Sequence, residues 1–91
     1  MEAIAIIPAY NEEKTIGQVL APLKDVVLIK KIIVVSDGST DDTVMVAKSY
    51  DVEVVELVEN RGKGGALKAG LDNFRADVVL FLDADLLGLT P

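Results

Sequence analysis

The sequence contains no cysteine and no histidine among its 91 residues. Without them the chain has no thiol chemistry, no zinc site built from Cys and His, and no Ser-His-Asp triad of its own. Any metal that this chain binds must therefore be held by oxygen ligands, which are the ligands that Mg²⁺ prefers.

Positive charge and long apolar runs are also scarce. Nine Lys and Arg residues face fifteen Asp and Glu residues, giving a net charge of −6 without a basic cluster, so we expect no nucleic-acid partner. No apolar run approaches the roughly 18 residues of a membrane span, so we expect no membrane segment. The opening Met1 to Ile4 lacks the basic start of a secretory signal, and a cytoplasmic location is the default expectation.

Apolar residues, in contrast, are abundant. They make up 51% of the chain, and the mean hydropathy is +0.39. The length suits one small domain. This composition predicts a core-rich α/β domain, or a piece whose apolar faces expect more protein.

Short apolar runs bounded by charged or turn-forming residues predict four strands, at residues 3–7, 32–35, 52–57 and 78–82. Pro8 is expected to end the first strand, because proline cannot donate to a ladder. The third strand alternates only in part, which favours an edge position. The fourth is almost continuously apolar, which is typical of a buried parallel strand.

Helical spacing of apolar residues follows each of the first three strands. The first helix has Asn11 as its expected N-cap, and Pro22 is expected to kink or end it near Ala21. The second helix has Ser39 or Thr40 as its expected cap. Gly70 is expected to let the third helix pack closely on the sheet. The expected inner faces are Ile16, Val19, Leu20 and Leu23, then Val44, Ala47 and Tyr50, then Leu67, Gly70, Leu71 and Phe74.

This alternation predicts an α/β fold with a Rossmann-like, mostly parallel sheet of about four strands and helices on both faces. Ligands of such sheets lie beyond the carboxyl ends of the strands. Asp83 and Asp85 follow the fourth strand and, at positions i and i+2, point the same way toward one hard cation. The loops after the other strands add Tyr10, Asn11, Glu12, Ser36, Asp37, Arg61 and Lys63.

Carboxylates for a cation, cations for phosphates and polar groups for a ribose and base together predict a nucleoside-diphosphate site. Each feature also has a purely structural alternative. Asn11 with Glu12 suits a helix start, the Asp37 and Asp83 segments suit turns, and the Arg61 and Lys63 charges suit a solvated loop. The spacing excludes a P-loop, and the first loop lacks the glycines of a dinucleotide fingerprint.

Four motifs, at residues 7–13, 34–41, 60–66 and 82–85, resemble the successive motifs of family 2 glycosyltransferases with the GT-A fold. Dolichyl-phosphate sugar synthases and glucosyl-3-phosphoglycerate synthase-like enzymes are similar over these stretches. The resemblance covers essentially the whole chain. It implies transfer of a sugar from a nucleoside-diphosphate sugar, with a UDP-sugar favoured and a GDP-sugar possible, and with Mg²⁺ or Mn²⁺ as cofactor.

The resemblance also implies roles for individual residues. Asp37 would accept a hydrogen bond from the base, and Glu12 would bind the ribose. Asp83 and Asp85 would form the family's Asp-x-Asp motif, with Asp85 as the direct metal ligand. The other implied nucleotide-binding residues are Pro8, Ala9 and Tyr10 around the base and ribose, Ser36 beside Asp37, and Arg61 and Lys63 near the base and diphosphate.

Two departures from the family pattern are visible. Ser36 stands where many members carry an acid, which leaves the metal or base contacts near it open. The chain is also shorter than family members, so residues 1–91 are expected to be a nucleotide-sugar-binding half-domain without its acceptor half. Full turnover by this chain alone is not expected; the alternative is a non-catalytic nucleotide-binding or regulatory module. If residues 78–82 lie at the edge of a truncated sheet, this apolar strand is exposed and predicts a homo-oligomer.

Overall fold

Four parallel strands form one sheet in the order β3-β2-β1-β4 in the computed structural model, which describes residues 3–74 and 76–82. Three helices connect consecutive strands, as the sequence predicts for an α/β fold. The elements are β1 (Ala3–Ala9), α1 (Ile16–Leu23), β2 (Ile29–Asp37), α2 (Thr43–Lys48), β3 (Glu53–Leu57), α3 (Gly62–Asn73) and β4 (Val78–Phe81).

The central strands β1 and β2 are buried on both faces, which explains their continuous apolar sequence. Successive side chains of a strand point to opposite faces. Ile7 therefore packs with Ile16 and Leu20 in the core beneath α1 and α2. Ile6 packs with Ala66 in the core beneath α3. The predicted placement of helices on both faces of the sheet is confirmed.

Strands β1 and β2 run farther than the sequence predicts. Pro8 does not end β1; it lies opposite Val35 inside the strand. Within the described residues, the pairing with β4 reaches Ile6, whose carbonyl accepts a hydrogen bond from the Leu82 amide at 3.1 Å. Among these residues Pro8 lies beyond the part of β1 that pairs with both neighbours, where a missing N–H is tolerated.

The first two helices begin later than predicted. Asn11 has a φ of +52°, which is incompatible with a helix start there, and α1 begins at Ile16. Pro22 lies within α1, which ends one residue later at Leu23, close to the predicted end near Ala21. Helix α2 begins at Thr43, not next to Ser39 or Thr40, since the intervening residues hydrogen-bond to the first loop instead.

Helix α3 begins at Gly62, so the glycine-rich segment forms its first turn and not a separate loop. Its buried residues are Ala66, Ala69 and Gly70, whereas Leu71 is 44% exposed and does not belong to the inner face. A methyl group at residue 70 would lie 2.9 Å from Ile6 Cγ2. The predicted close packing at Gly70 is therefore confirmed, and small residues let the helix lie against the sheet.

Both ends of the sheet order are edges in the part of the chain that the structure describes. The edge position of β3 agrees with the prediction. Strand β4 differs from the predicted buried strand, because it pairs only with β1 and leaves Leu80 and Phe81 40% and 50% exposed. Across residues 3–74 and 76–82, no helix has the length and apolar character needed to cross a membrane.

Candidate functional site

The carboxyl ends of the parallel strands meet at one edge of the sheet, which we call the carboxyl rim. It consists of the ends of β1, β2 and β3 with the loops that follow them, residues 10–15, 38–42 and 58–61. Tyr10, Glu12, Ser36, Asp37 and Arg61 therefore share this rim. Parallel topology alone brings these residues together although they are far apart in sequence.

Asp37 ties the end of β2 to the loop after β3. Its side chain is 4% exposed, and its Oδ1 accepts a hydrogen bond from the Arg61 amide at 2.6 Å. Gly38 follows with a φ of +75°, and a methyl group there would lie 2.7 Å from the Asn60 backbone nitrogen. The two loops are thus in direct contact, and a carboxylate lies in a largely water-excluded position where they meet.

Glu12 lies in the first loop, where both its backbone and its carboxylate form hydrogen bonds. Its amide donates to Thr43 Oγ1 at 2.8 Å, and its Oε2 accepts from the Thr15 hydroxyl at 3.2 Å. Its carbonyl accepts from the amides of Thr15 and Ile16 at 3.0 and 2.8 Å. The residue borders a cleft of about 370 Å³, lined by Asn11, Glu12, Glu13, Lys14, Thr15 and Asp41.

Asn11 joins the first two loops instead of capping α1. Its side-chain Oδ1 accepts hydrogen bonds from the backbone amides of Thr40 and Asp41 at 2.8 and 3.3 Å. Its backbone amide donates to Ser39 Oγ at 3.1 Å. Asparagine adopts positive φ more readily than most residues. The sequence could not distinguish this role from a helix cap, because both use the same side-chain oxygen.

Asp41 is a rim residue that the sequence analysis overlooked. Its carboxylate accepts from the Thr43 amide at 3.0 Å, from the Thr43 hydroxyl in a short contact, and from the Glu13 amide at 3.3 Å. Burial by itself raises the pKa of Asp41, but these hydrogen bonds outweigh it and hold the pKa below the ordinary value. One feature of the sequence could have indicated this role: Asp41 stands two residues before Thr43, just ahead of an apolar stripe. This spacing is typical of a side chain that hydrogen-bonds to its own loop.

The remaining predicted site residues differ in their exposure and in their position along the chain's strands and helices. Tyr10 is 47% exposed at the end of β1. Ala9 packs in the core with its side chain and accepts from Ser39 Oγ at 3.5 Å with its carbonyl, and Pro8 is buried in β1. Lys63 lies in the first turn of α3. Ser36 is buried at the end of β2.

The predicted metal ligands Asp83 and Asp85 lie outside the described residues. Within those residues, no group of three or more acidic side chains is placed to hold a metal ion. The Leu82 amide bonds to β1 at Ile6, so the chain is beside β1 one residue before Asp83. The donor set of the chain, which has oxygen ligands but no Cys or His, suits a hard divalent cation.

A cleft of about 420 Å³ lies at the opposite edge of the sheet, near the amino ends of β2 and β3. It is lined by Lys24, Ile29, Lys30, Lys31, Ile32, Asp51, Val52 and Glu53. Although it is larger than the cleft beside Glu12, none of the residues that line it is predicted to bind a ligand. The carboxyl rim is therefore the candidate site.

Comparison with known proteins identifies the family. Residues 4–87 match the model of the glycosyl transferase family 2. The chain belongs to this family.

Curated relatives are similar over nearly the whole chain. Dolichyl-phosphate β-glucosyltransferase of Drosophila melanogaster is 42% identical, with 93% of this chain and 31% of that protein covered. The human enzyme of the same name is 38% identical, with 88% and 30% covered. The chain therefore spans about a third of the length of these relatives.

Solved structures agree with the fold. Glucosyl-3-phosphoglycerate synthase from Mycobacterium tuberculosis, in complex with Mn²⁺, UDP and glucosyl-3-phosphoglycerate, has a TM-score of 0.79 and 35% identity. The match covers 91% of this chain and 33% of that protein. A complex of the same enzyme with Mg²⁺ and UDP has a TM-score of 0.78.

Proposed function

We propose that residues 1–91 are the donor-binding half of a glycosyltransferase and that they bind a nucleoside-diphosphate sugar at the carboxyl rim. The observation that carries the proposal is the convergence of Glu12, Asp37 and Arg61 on that rim in a member of glycosyl transferase family 2. A UDP-sugar is the favoured donor, since the similar synthase from M. tuberculosis binds UDP.

The described geometry is compatible with the proposed residue roles. Asp37 uses Oδ1 for the Arg61 amide, which leaves Oδ2 to accept the N–H of a uracil base. Glu12 would accept from the ribose, and the exposed Tyr10 would cover the base. Lys63 and Arg61 are proposed to neutralise the diphosphate. Pro8, Ala9 and Ser36 would form the floor of the nucleotide site.

Mg²⁺ or Mn²⁺ is the proposed cofactor, with Asp85 as its direct ligand and Asp83 as the second acid. Both ions occur with UDP in the similar synthase. The oxygen-only donor set of the chain suits either ion. When bound, such an ion neutralises charge on the diphosphate that leaves during sugar transfer.

Isothermal titration calorimetry of the purified chain with UDP and GDP, each with Mn²⁺ or with EDTA, tests the donor site. We expect UDP to bind in Mn²⁺ and EDTA to weaken binding at least about tenfold, because an ion held by Asp85 would neutralise charge on the diphosphate. No heat with any nucleotide at millimolar concentration, from a chain that circular dichroism shows to be folded, would disprove the proposal.

Matched variants locate the site. Asp37→Asn keeps an oxygen for the Arg61 amide but replaces the other with an N–H donor, so it should weaken UDP about tenfold or more. Asp51→Asn, at the opposite edge of the sheet, removes the same charge and should not change UDP binding. Equal effects of the two variants would mean that only overall charge matters.

We further propose that the chain forms homo-oligomers through β4, whose apolar side chains and open edge favour pairing. The cytoplasmic location expected from the sequence stays a prediction.

A further inference from the structure

Three consecutive backbone amides of the first loop donate to side chains of the second loop and of Thr43, the first residue of α2. The Asn11 amide donates to Ser39 Oγ, the Glu12 amide to Thr43 Oγ1, and the Glu13 amide to Asp41 Oδ2. These bonds tie the backbone of the first loop to residues 39–43. The bond from Glu12 to Thr43 is the shortest of the three, at 2.8 Å.

The direction of each hydrogen bond at Thr43 follows from chemistry. The Glu12 amide can only donate, so the Thr43 oxygen accepts from it. An ionised carboxylate can only accept, so the Thr43 hydroxyl hydrogen points to Asp41. Thr43 is fully buried, and its partners Glu12 and Asp41 are half-buried. A charged acceptor makes such bonds stronger than neutral ones.

Hydrogen bonds therefore fix Glu12 at its backbone amide, at its backbone carbonyl and at its carboxylate. Thr43 fixes its amide, and the start of α1 fixes its carbonyl and, through the Thr15 hydroxyl, its carboxylate. We propose that Thr43, oriented by Asp41, is a positioning residue that aims the Glu12 carboxylate at the ribose of the donor nucleotide. This inference rests on the proposed function, because it requires that a nucleotide bind at the rim.

The role makes a specific prediction about ribose hydroxyls. If Glu12 binds the ribose, UDP should bind more tightly than 2′,3′-dideoxy-UDP, which has no hydroxyl for the carboxylate to accept from. Thr43→Val removes the hydroxyl but keeps the branched shape, so it should misplace Glu12 without removing other contacts to the base. If Thr43 had a purely structural role, Thr43→Val would weaken the binding of both nucleotides by the same factor.

Calorimetry with both nucleotides in Mn²⁺ tests this. We expect the wild-type chain to prefer UDP by about tenfold, as for a hydrogen bond to a charged group, and Thr43→Val to lose most of that preference. Thr43→Ser keeps the hydroxyl and should restore it. Ser49→Ala is the control, because its hydroxyl bonds to the carbonyl of Val46 near the end of α2.

The outcomes separate the inference from the proposed function. If the wild-type chain binds UDP with a preference that Thr43→Val leaves intact, or if both nucleotides weaken by the same factor, the positioning role is wrong and the donor site stands. If the wild-type chain binds neither nucleotide, both fail. Should Thr43→Val not fold, Asp41→Ala, which removes the acceptor of the Thr43 hydroxyl, is expected to reduce the same preference, and an unchanged preference there overturns the inference.

Discussion

Asp41 links local charge to the stability of the rim. Hydrogen bonds from Thr43 and Glu13 hold its pKa below the ordinary value of 3.8, so the folded chain stabilises the ionised form. A lowered pKa in the folded state contributes stability above the unfolded value, and this contribution is lost as the pH falls through the folded value. We expect Asp41→Asn to cost about 1–2 kcal/mol at pH 7, with a difference from wild type that shrinks below about pH 3.8.

Urea unfolding of both chains from pH 7 down to pH 3 measures that difference. Asp42→Asn is the control, since Asp42 is exposed and its side chain makes no capping hydrogen bond. A destabilisation by Asp41→Asn that is independent of pH over this range would show that its charge does not matter.

Gly38 is required by both backbone conformation and space. It has a φ of +75°, and an alanine methyl group would lie 2.7 Å from Asn60 N and 2.9 Å from the carbonyl carbon of Glu59. We expect Gly38→Ala to cost about 2–4 kcal/mol, as the sum of left-handed strain and overlap. In Gly62→Ala the left-handed strain would act without any overlap, because nothing lies within 4 Å of the added methyl group. We expect this variant to cost about 1 kcal/mol.

Chemical denaturation of the two glycine variants gives the comparison. Equal losses would show that the contact between the Gly38 and Asn60 loops is unimportant. A larger loss for Gly38→Ala would confirm that the loop contact at Asp37 depends on close backbone approach.

At the scale of elements, the strands were predictable from sequence and the helix starts were not. Apolar runs located all four strands, because burial between helices leaves little choice of residue. The first two helix starts depend on partners distant in sequence. The Asn11 side chain bonds to the second loop, and Asp41 bonds back to Glu13. Local capping preference cannot reveal such partners.

The face of α3 illustrates a second limit. Spacing of large apolar residues favoured Leu71 as an inner residue, but the sheet contacts Ala66 and Ala69. Small residues occupy this face because the helix lies close to the sheet at Gly70. A prediction from apolar spacing alone favours large side chains. It therefore placed Leu71 on the inner face in preference to the smaller residues.

Gly70→Ala tests whether that closeness is needed. Alanine favours a helix by about 1 kcal/mol over glycine, but its methyl group would lie 2.9 Å from Ile6 Cγ2 and 3.1 Å from Ile6 Cδ1 in a filled core. We expect a net loss of about 1 kcal/mol. Gly64→Ala, in the same helix with nothing within 4 Å, should be neutral or stabilising by about 0.5 kcal/mol.

Thermal unfolding monitored by circular dichroism compares the two variants. If Gly70→Ala raised the unfolding midpoint as Gly64→Ala does, then α3 could move away from the sheet at little cost, and its small residues would need another explanation.

At the scale of the whole molecule, the sequence predicted which residues share a rim but not how they are held. Parallel topology suffices to place Glu12 and Asp37 at one edge. The hydrogen bonds that fix them come from Thr43 and the Arg61 amide, residues that no local pattern singled out for this purpose. The predicted metal ligands Asp83 and Asp85 lie outside the described residues, so the metal remains part of the proposal.

The edge of β4 carries the proposed self-association. Leu80 and Phe81 are 40% and 50% exposed on a strand that pairs on one side only within the described sheet. An open apolar edge favours pairing with another copy, and a charged side chain there opposes it. Light scattering during size-exclusion chromatography should therefore show a mass above 9.7 kDa that rises with concentration. Phe81→Lys should shift the dissociation midpoint at least about tenfold toward monomer. Met45→Lys, which charges an exposed apolar position on α2, should leave the mass unchanged. A wild-type chain that stays monomeric at high concentration, or an assembly unaffected by Phe81→Lys, would contradict association through β4.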